Sequence, residues 1–360
     1  MKWVNKMRLV SIKKAKPGMV IGRNIYGADG RVLLKRNTLL TEGFIVKLKE
    51  LGMYYIYIKE GDEDKIVVDD VIREESRIEA INMTRQIVEK ISKGQDFNVA
   101  KVKTITNTIV DELLSDPNLM LNLVSIRAQS DYLYGHSVNV AVLSGIIGIA
   151  LGYNREMLKD LTIGALFHDI GKIKLDKEII EAKNISDSSK ETEIRKHTEY
   201  GFEILRKNME ISLHSAHIAY QHHEMYNGNG YPRKLKGEEI SEYARIVAIA
   251  NTYEQFINDK VDNDIATISA VEYLTENCGI IFDPELVRVF LKSIAIYPTG
   301  TRVTLNTGEK GVVIKTHKNH PTRPIIHIDT NLLGIKLKKG YEIDLLTRKA
   351  YFIIDYEGVS

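Results

Sequence analysis

Six residues of this chain could do metal chemistry together. His168 and Asp169 are adjacent in Ala165-Leu-Phe-His-Asp-Ile-Gly-Lys172. His136 lies in Tyr132-Leu-Tyr-Gly-His-Ser-Val-Asn139, His197 in Lys196-His-Thr-Glu-Tyr-Gly201, and His222-His223 precede Glu224. Imidazole nitrogen and carboxylate oxygen are ligands suited to first-row divalent ions. A lone His-Asp pair is usually structural, but five histidines and one aspartate near expected helix ends exceed what core packing needs. Neighbours on a helix point about 100° apart. His168 and Asp169 therefore meet at one point only if something at the helix end draws them together, and a metal does this. The set is large enough for two ions, with the Asp169 carboxylate as a bridge. In two-metal hydrolases the ions sit roughly 3.5–4 Å apart, clamp the attacking and leaving oxygens of an in-line displacement, and acidify a water. The chemistry implied is phosphodiester hydrolysis. Lys172, three residues after Asp169, could neutralise a non-bridging phosphate oxygen as charge builds.

The elements that must position these groups are mostly helices. Residues 120–295 hold the whole cluster and read as mainly helical, with the most apolar window at Val138–Tyr153. Residues 70–125 also read as helix, because apolar positions recur at helical spacing through Ile72, Ile78, Ile81, Ile87 and Ile91. Ser92-Lys-Gly94 breaks that run, and a second segment covers Val99 to Leu114. Such helices could pair with a second copy as a homodimer or pack only on their own chain, and the spacing leaves both open.

Residues 1–60 read as a small α+β unit. Short apolar segments flank Lys16-Pro-Gly18, Gly27-Ala-Asp-Gly30 signals a turn, and Thr41 is placed to cap a helix from Glu42 to Leu51. From Tyr297 the pattern changes to β-branched runs at Arg302–Leu305, Gly311–Ile314 and Ile325–Ile328, an antiparallel hairpin appendix. The division expected is 1–65, a small regulatory unit; 66–119, a helical connector; 120–295, the catalytic domain; and 296–360, the β appendix.

Composition narrows the function classes. Fifty basic residues against forty-eight acidic give a net charge of +2, which does not suggest a surface for a nucleic-acid polymer. The single cysteine, Cys278, excludes an intrachain disulfide framework and suits a reducing compartment. No targeting segment stands out. Asn139 and Ser144 interrupt the most apolar window, which falls short of the roughly 20 apolar residues of a membrane span. A soluble, cytoplasmic protein is expected. His214 and His217, and His317, His320 and His327 in the tail, are expected to lie outside the site.

Taken together the motifs resemble the HD-GYP family, the cyclic di-GMP phosphodiesterase branch of the HD superfamily of metal-dependent phosphohydrolases. The resemblance covers about residues 120–295. It rests on His168-Asp169, His222-His223-Glu224, Gly230-Tyr231-Pro232, Leu235–Ile240, Arg245–Ala250 and Phe282–Leu286. It implies a mainly α fold: an HD-type helical bundle with the N-terminal α+β unit and C-terminal β appendix beside it. It implies two divalent metal ions, usually iron or manganese, and cyclic di-GMP or a related cyclic dinucleotide as substrate. His136, His168 and Asp169 would hold the first metal, and Asp169, His197, His222 and His223 the second. Lys172 would contact phosphate, and Gly230, Tyr231 and Pro232 would form a loop facing substrate or a signalling partner. Tyr132 stands where some members carry a carboxylate for a third metal, so two are expected.

The chain departs from that pattern in places. Asn251 stands where the family has the last aspartate ligand of the first metal, within Ala250-Asn-Thr-Tyr-Glu254. Asn offers a carbonyl oxygen without charge, and lower occupancy of that metal is expected. The usual arginine-bearing segment downstream reads Lys260-Val-Asp-Asn263; Lys260 keeps one point charge for substrate without Arg's bidentate fork. Asn227 and Met225 replace a usual Asp and Arg. An impaired domain that senses a cyclic dinucleotide or contacts a protein, and a hydrolase of another cyclic dinucleotide, are therefore alternatives to cyclic di-GMP hydrolysis.

Overall fold

The structure is a computed structural model that describes residues 6–27, 31–51, 53, 55–60, 71–115, 132–180, 188–259, 266–297, 299–317 and 320–357. Its buried apolar side chains fall into three clusters. The first in chain order is built by β1 (Lys6–Ser11), β2 (Val20–Ile21), β3 (Ile25–Tyr26), β4 (Val32–Leu34), α1 (Glu42–Glu50) and β5 (Tyr55–Glu60). β5 lies between β1 and β2, and its Ile56, Tyr57 and Ile58 are all buried, as a central strand requires. The Thr41 hydroxyl accepts the Phe44 N–H at 3.2 Å, so the expected cap forms. Residues 28–30 of the expected turn lie outside the described residues.

The large cluster is helical. It comprises α2 (Glu74–Ser92), α3 (Val99–Ser115), α4 (Tyr132–Ala150), α5 (Arg155–Leu166), a 3₁₀ turn at Ile170–Lys174, α6 (Lys177–Ile180), α7 (Ser188–Arg195), α8 (His197–Arg206), α9 (Leu213–Gln221), α10 (Glu242–Asp259), α11 (Ala266–Glu276) and α12 (Pro284–Ser293). α4 is buried without a break from Gly135 to Gly148, and α2, α3, α5, α10 and α12 all pack on it. A helix apolar all round must be surrounded by protein, which explains the most apolar window of the sequence. Among the described residues, no helix is long and apolar enough to cross a membrane. Ile81, Ile87, Ile105, Ile109 and Leu113 bury in this same core, so the chain itself covers these apolar positions of α2 and α3.

The third cluster is a five-stranded antiparallel sheet of β6 (Arg302–Leu305), β7 (Lys310–His317), β8 (His320–Thr330), β9 (Lys336–Asp344) and β10 (Ile353–Glu357), in the order β10-β6-β7-β8-β9. The sequence pattern shows only the three inner strands, where β-branched runs bury Val303, Val313, Ile326 and Ile328. β9 and β10 form the two edges. Lys336-Leu-Lys-Lys-Gly-Tyr-Glu is mostly exposed and lysine-rich, which keeps an edge from pairing with other chains and hides it from a hydrophobic pattern search.

Candidate metal centre

The His-Asp pair sits where a helix gives way to a tighter turn. α5 ends at Leu166, and Asp169 precedes the 3₁₀ turn with φ −99° and ψ 8°. The two side chains are thus released from the 100° fan of a regular helix. His197 opens α8, and His222 caps the C-terminus of α9 with His223 next in the chain. His136 differs from expectation: it lies one turn inside α4 rather than ahead of it.

Hydrogen bonds at the outer ring nitrogens fix what the inner ones present. His168 Nδ1 donates to the Ala165 carbonyl at 2.8 Å, His197 Nδ1 to the Ile194 carbonyl at 2.6 Å, and His222 Nδ1 to the Ile218 and Ala219 carbonyls at 3.1 Å. His136 Nδ1 faces the Glu254 carboxylate at 2.5 Å. Carbonyls and carboxylates only accept, so Nδ1 carries the proton in each neutral ring and Nε2 a lone pair. Those lone pairs converge. His136 Nε2 is 3.3 Å from His168 Nε2, and His197 Nε2 is 3.4 Å from His222 Nε2. Two lone pairs at such distances repel unless a cation stands between them. Nitrogens about 2.1 Å from one ion would be about 3.0–3.4 Å apart at octahedral or tetrahedral angles.

Asp169 lies between the two histidine pairs. Its Oδ2 is 3.4 Å from His168 Nε2, and its Oδ1 is 3.4 Å from His197 Nε2 and 3.6 Å from His222 Nε2. Oδ1 is buried with no hydrogen-bond partner. Burial alone would raise this carboxyl, but the Lys172 ammonium and the His168 and His222 rings outweigh it and hold it well below the usual range. Burial keeps His168 and His223 well below the ordinary histidine value and brings His197 down to about 4. At His136 burial acts downward too, but the Glu254 charge and hydrogen bond outweigh it and raise the ring. The cluster therefore offers ionised oxygen and mostly neutral nitrogen, the donor set a divalent ion needs. Two groups of donor atoms satisfy mutual distances within 4.8 Å: Asp169, His197, His222 and His223, and His136, His168 and Asp169. Lys172 Nζ contacts Asp169 Oδ2 at 2.5 Å from a partly exposed position.

Close backbone approach brings α8 to the turn. A Cβ at Gly171 would stand 1.9 Å from the His197 carbonyl oxygen and 2.5 Å from the Gly201 nitrogen. Gly171→Ala is expected to push α8 outward, cost roughly 3 kcal/mol by overpacking, and detach His197 from Asp169. Urea unfolding and the metal content of the desalted protein check both effects; unchanged stability with full metal content would contradict this role for Gly171.

The buried neutral histidines also set an acid response. Unfolded, each would titrate near the ordinary histidine value of 6.5; folded, His197 does so at about 4. Between those values the unfolded chain binds more protons, so stability present above pH 6.5 is lost progressively as pH falls toward 4. That gap amounts to ~3 kcal/mol for His197 alone, and His168 and His223 act in the same direction while the raised His136 opposes them. The urea midpoint of metal-free protein should fall between pH 7 and 4.5; a flat profile would mean that the folded cluster already carries its protons.

The remaining expected site residues are placed as follows. Tyr231 stacks on His223 with ring centroids 4.7 Å apart and planes at 15°, and the Arg195 guanidinium lies over the same ring at 4.7 Å. Gly228 has φ +86°, as expected of a glycine-only turn position. Gly230 is needed for a different reason, since a Cβ there would stand 2.2 Å from the Met225 nitrogen. Asn251 is buried on α10, its Oδ1 accepting from Gln255 Nε2 at 3.2 Å. Lys260 and residues 261–263 lie outside the described residues. His214 and His217 pack against Tyr243 and Phe202, and His317 pairs with Asp344 in the β sheet. Two buried carboxylates escaped the sequence reading of the site. Glu224 accepts the Arg233 and Leu235 N–H groups at 2.7 and 3.0 Å and so holds the Gly-Tyr-Pro loop. Glu254 grips His136. Each stands within a quoted motif, but only the fold shows what it bonds.

The helical bundle carries a histidine-aspartate cluster with the donor set of a divalent-metal site. Residues 118–286 match the family model described as HD domain, and residues 302–357 match one described as KOW domain associated with HD domain. The chain is 28% identical over 236 residues to a cyclic di-GMP phosphodiesterase of Pseudomonas aeruginosa, covering 65% of this chain and 57% of that one. It is 30% identical over 218 residues to a cyclic di-GMP phosphodiesterase of Thermotoga maritima, covering 60% and 59%. It is 28% identical over 251 residues to a 3′3′-cGAMP-specific phosphodiesterase of Vibrio cholerae, covering 68% and 46%. The matches span less than two thirds of each of these relatives. An HDG"Y"P protein of Bdellovibrio bacteriovorus shares the fold, with a TM-score of 0.52 and 18% identity over 79% of this chain and 98% of that one. Over residues 118–286 the chain is thus similar to HD-domain proteins, and its fold is like that of an HD-GYP protein.

Proposed function

We propose that the chain is a metal-dependent phosphodiesterase that opens cyclic di-GMP to linear pGpG, with cleavage to GMP as a second step. The observation that carries this reading is the inward convergence of four Nε2 lone pairs in two pairs about the buried Asp169 carboxylate, whose Oδ1 has no hydrogen-bond partner. The names of the relatives support a cyclic dinucleotide as the substrate class. His136, His168 and Asp169 would hold one ion, with Asn251 offering a neutral oxygen, and Asp169, His197, His222 and His223 the other. Two bound divalent ions, iron or manganese by family resemblance, would supply Lewis acidity at the phosphate and an acidified water. The protein's own contribution is to orient the donors through the Nδ1 bonds and to place Lys172 where its ammonium can turn from Asp169 to a phosphate oxygen. Gly230, Tyr231 and Pro232 form the loop on the His223 side, facing substrate or a signalling partner, and Lys260 adds a substrate-side cation. Residues 1–65 act as the regulatory unit.

Incubation with cyclic di-GMP, 3′3′-cGAMP and cyclic di-AMP under reducing conditions with Mn(II) or Fe(II), followed by chromatography, tests the reading. Release of pGpG from cyclic di-GMP is expected, and no turnover of any of the three sinks it. Asn251 motivates a second reading, a cyclic-dinucleotide sensor with impaired turnover, because its oxygen is neutral and already bonded to Gln255. Tight binding of cyclic di-GMP without hydrolysis, reversed by Asn251→Asp, would favour it.

A further inference from the structure

A buried chain of hydrogen bonds runs from the connector helix α2 to the first metal position. Arg77 Nη1 on α2 donates to Asn139 Oδ1 on α4 at 2.6 Å. Asn139 Nδ2 donates to Glu254 Oε1 on α10 at 3.0 Å, and Glu254 Oε2 meets His136 Nδ1 at 2.5 Å. All four residues are buried. The direction of each link is forced. Arginine only donates, so the Asn139 oxygen must face it; the ionised carboxylate only accepts, so the Asn139 amide nitrogen must face that. Glu254 then accepts the His136 Nδ1 proton, which leaves His136 Nε2 with a lone pair 3.3 Å from His168 Nε2.

We infer that Glu254 is a positioning residue for the first metal, supplying through His136 the negative charge that Asn251 does not carry, with Arg77 anchoring it through Asn139. The inference rests on the two-metal reading of the site. Glu254 lies one helical turn beyond Asn251 on α10. A carboxylate bonded to the far nitrogen of a ligating imidazole fixes its tautomer and makes the near nitrogen more basic. The charge acts one ring removed from the ion instead of touching it. The Arg77 anchor gives α2, the helix that follows the N-terminal unit in the chain, a hold on a single metal position. Among the described residues nothing comparable reaches His197 or His222, whose Nδ1 partners are backbone carbonyls of their own segments.

Titration of the full-length apoprotein with Mn(II), with free Mn(II) followed by paramagnetic resonance, tests this without reference to turnover. Wild type should bind two equivalents. Glu254→Gln keeps the shape but has a single acceptor oxygen, and it should weaken one equivalent about 10–100-fold and leave the other unchanged. Adding Asn251→Asp to Glu254→Gln should restore the weakened site, which a merely structural defect would not allow. Arg77→Met, which touches no proposed ligand, should weaken the same equivalent a few-fold and keeps the test open if Glu254→Gln fails to fold. Wild-type affinity for both equivalents in a folded variant, equal weakening of both, or no recovery in the double variant would overturn the inference. Absence of any Mn(II) binding by wild type would instead sink the two-metal reading itself.

Discussion

Asp169→Asn is expected to strip both ions from the protein and lower cyclic dinucleotide turnover on the order of 10³-fold. Asp169 is the one residue shared by the two donor groups, and its two oxygens face different histidines. Asn keeps the volume and one carbonyl oxygen but removes the charge, leaving the imidazoles with the Lys172 ammonium beside them. The loss of Lewis acidity is worth several kcal/mol, and each 1.4 kcal/mol is about tenfold in rate. Thermal stability separates this from misfolding. Mn(II) at 100 times its Kd should stabilise wild type by ~2.7 kcal/mol and Asp169→Asn not at all, while the two metal-free proteins differ far less. Retention of two equivalents of metal by Asp169→Asn would rule out the bridging role.

Lys172→Met is expected to separate metal binding from catalysis. The Lys172 ammonium lies on Asp169 Oδ2, the oxygen on the His168 side. It therefore competes with an ion placed there, and its removal should leave Mn(II) affinity unchanged or tighter. Turnover should nevertheless fall about 10²–10³-fold, the scale of losing one charged stabiliser of a transition state. The drop should appear in kcat more than in KM, because phosphate charge builds during the reaction and not on binding. A variant that loses metal and activity together would show Lys172 to be a structural counter-ion of Asp169. One that keeps full activity would remove it from the chemistry.

Much of the fold was legible because it is local. Thr41 before an apolar periodic run and the break at Ser92-Lys-Gly94 each act within a few residues, and helices lie where those signals place them. β9 and β10 were not legible. They are edge strands held by partners on one side, and most of their residues are exposed or only partly buried, with Ile343 the exception in the core. The site divides in the same way. Membership of the cluster could be read because histidines gathered at helix ends are costly to explain otherwise. The place of His136 inside α4 and the close approach at Gly171 could not, since both depend on how distant helices cross.

The sequence by itself determined the donors: five imidazoles, one carboxylate, a lysine three residues on and a neutral Asn251. These are properties of side-chain chemistry, and folding does not alter which groups exist. Only the tertiary structure decided how they are shared and which nitrogen each ring presents. The carbonyls of Ala165, Ile194, Ile218 and Ala219 that hold the Nδ1 protons are unremarkable in the chain, and they become specific partners because helices or turns begin and end beside them. His136 and Glu254 are 118 residues apart, and the Arg77–Asn139 link spans 62. Contacts over such separations are set by the packing of α2 and α10 on α4, and that packing sorts the candidate donors into two unequal groups, one of them tied to a helix outside the motif.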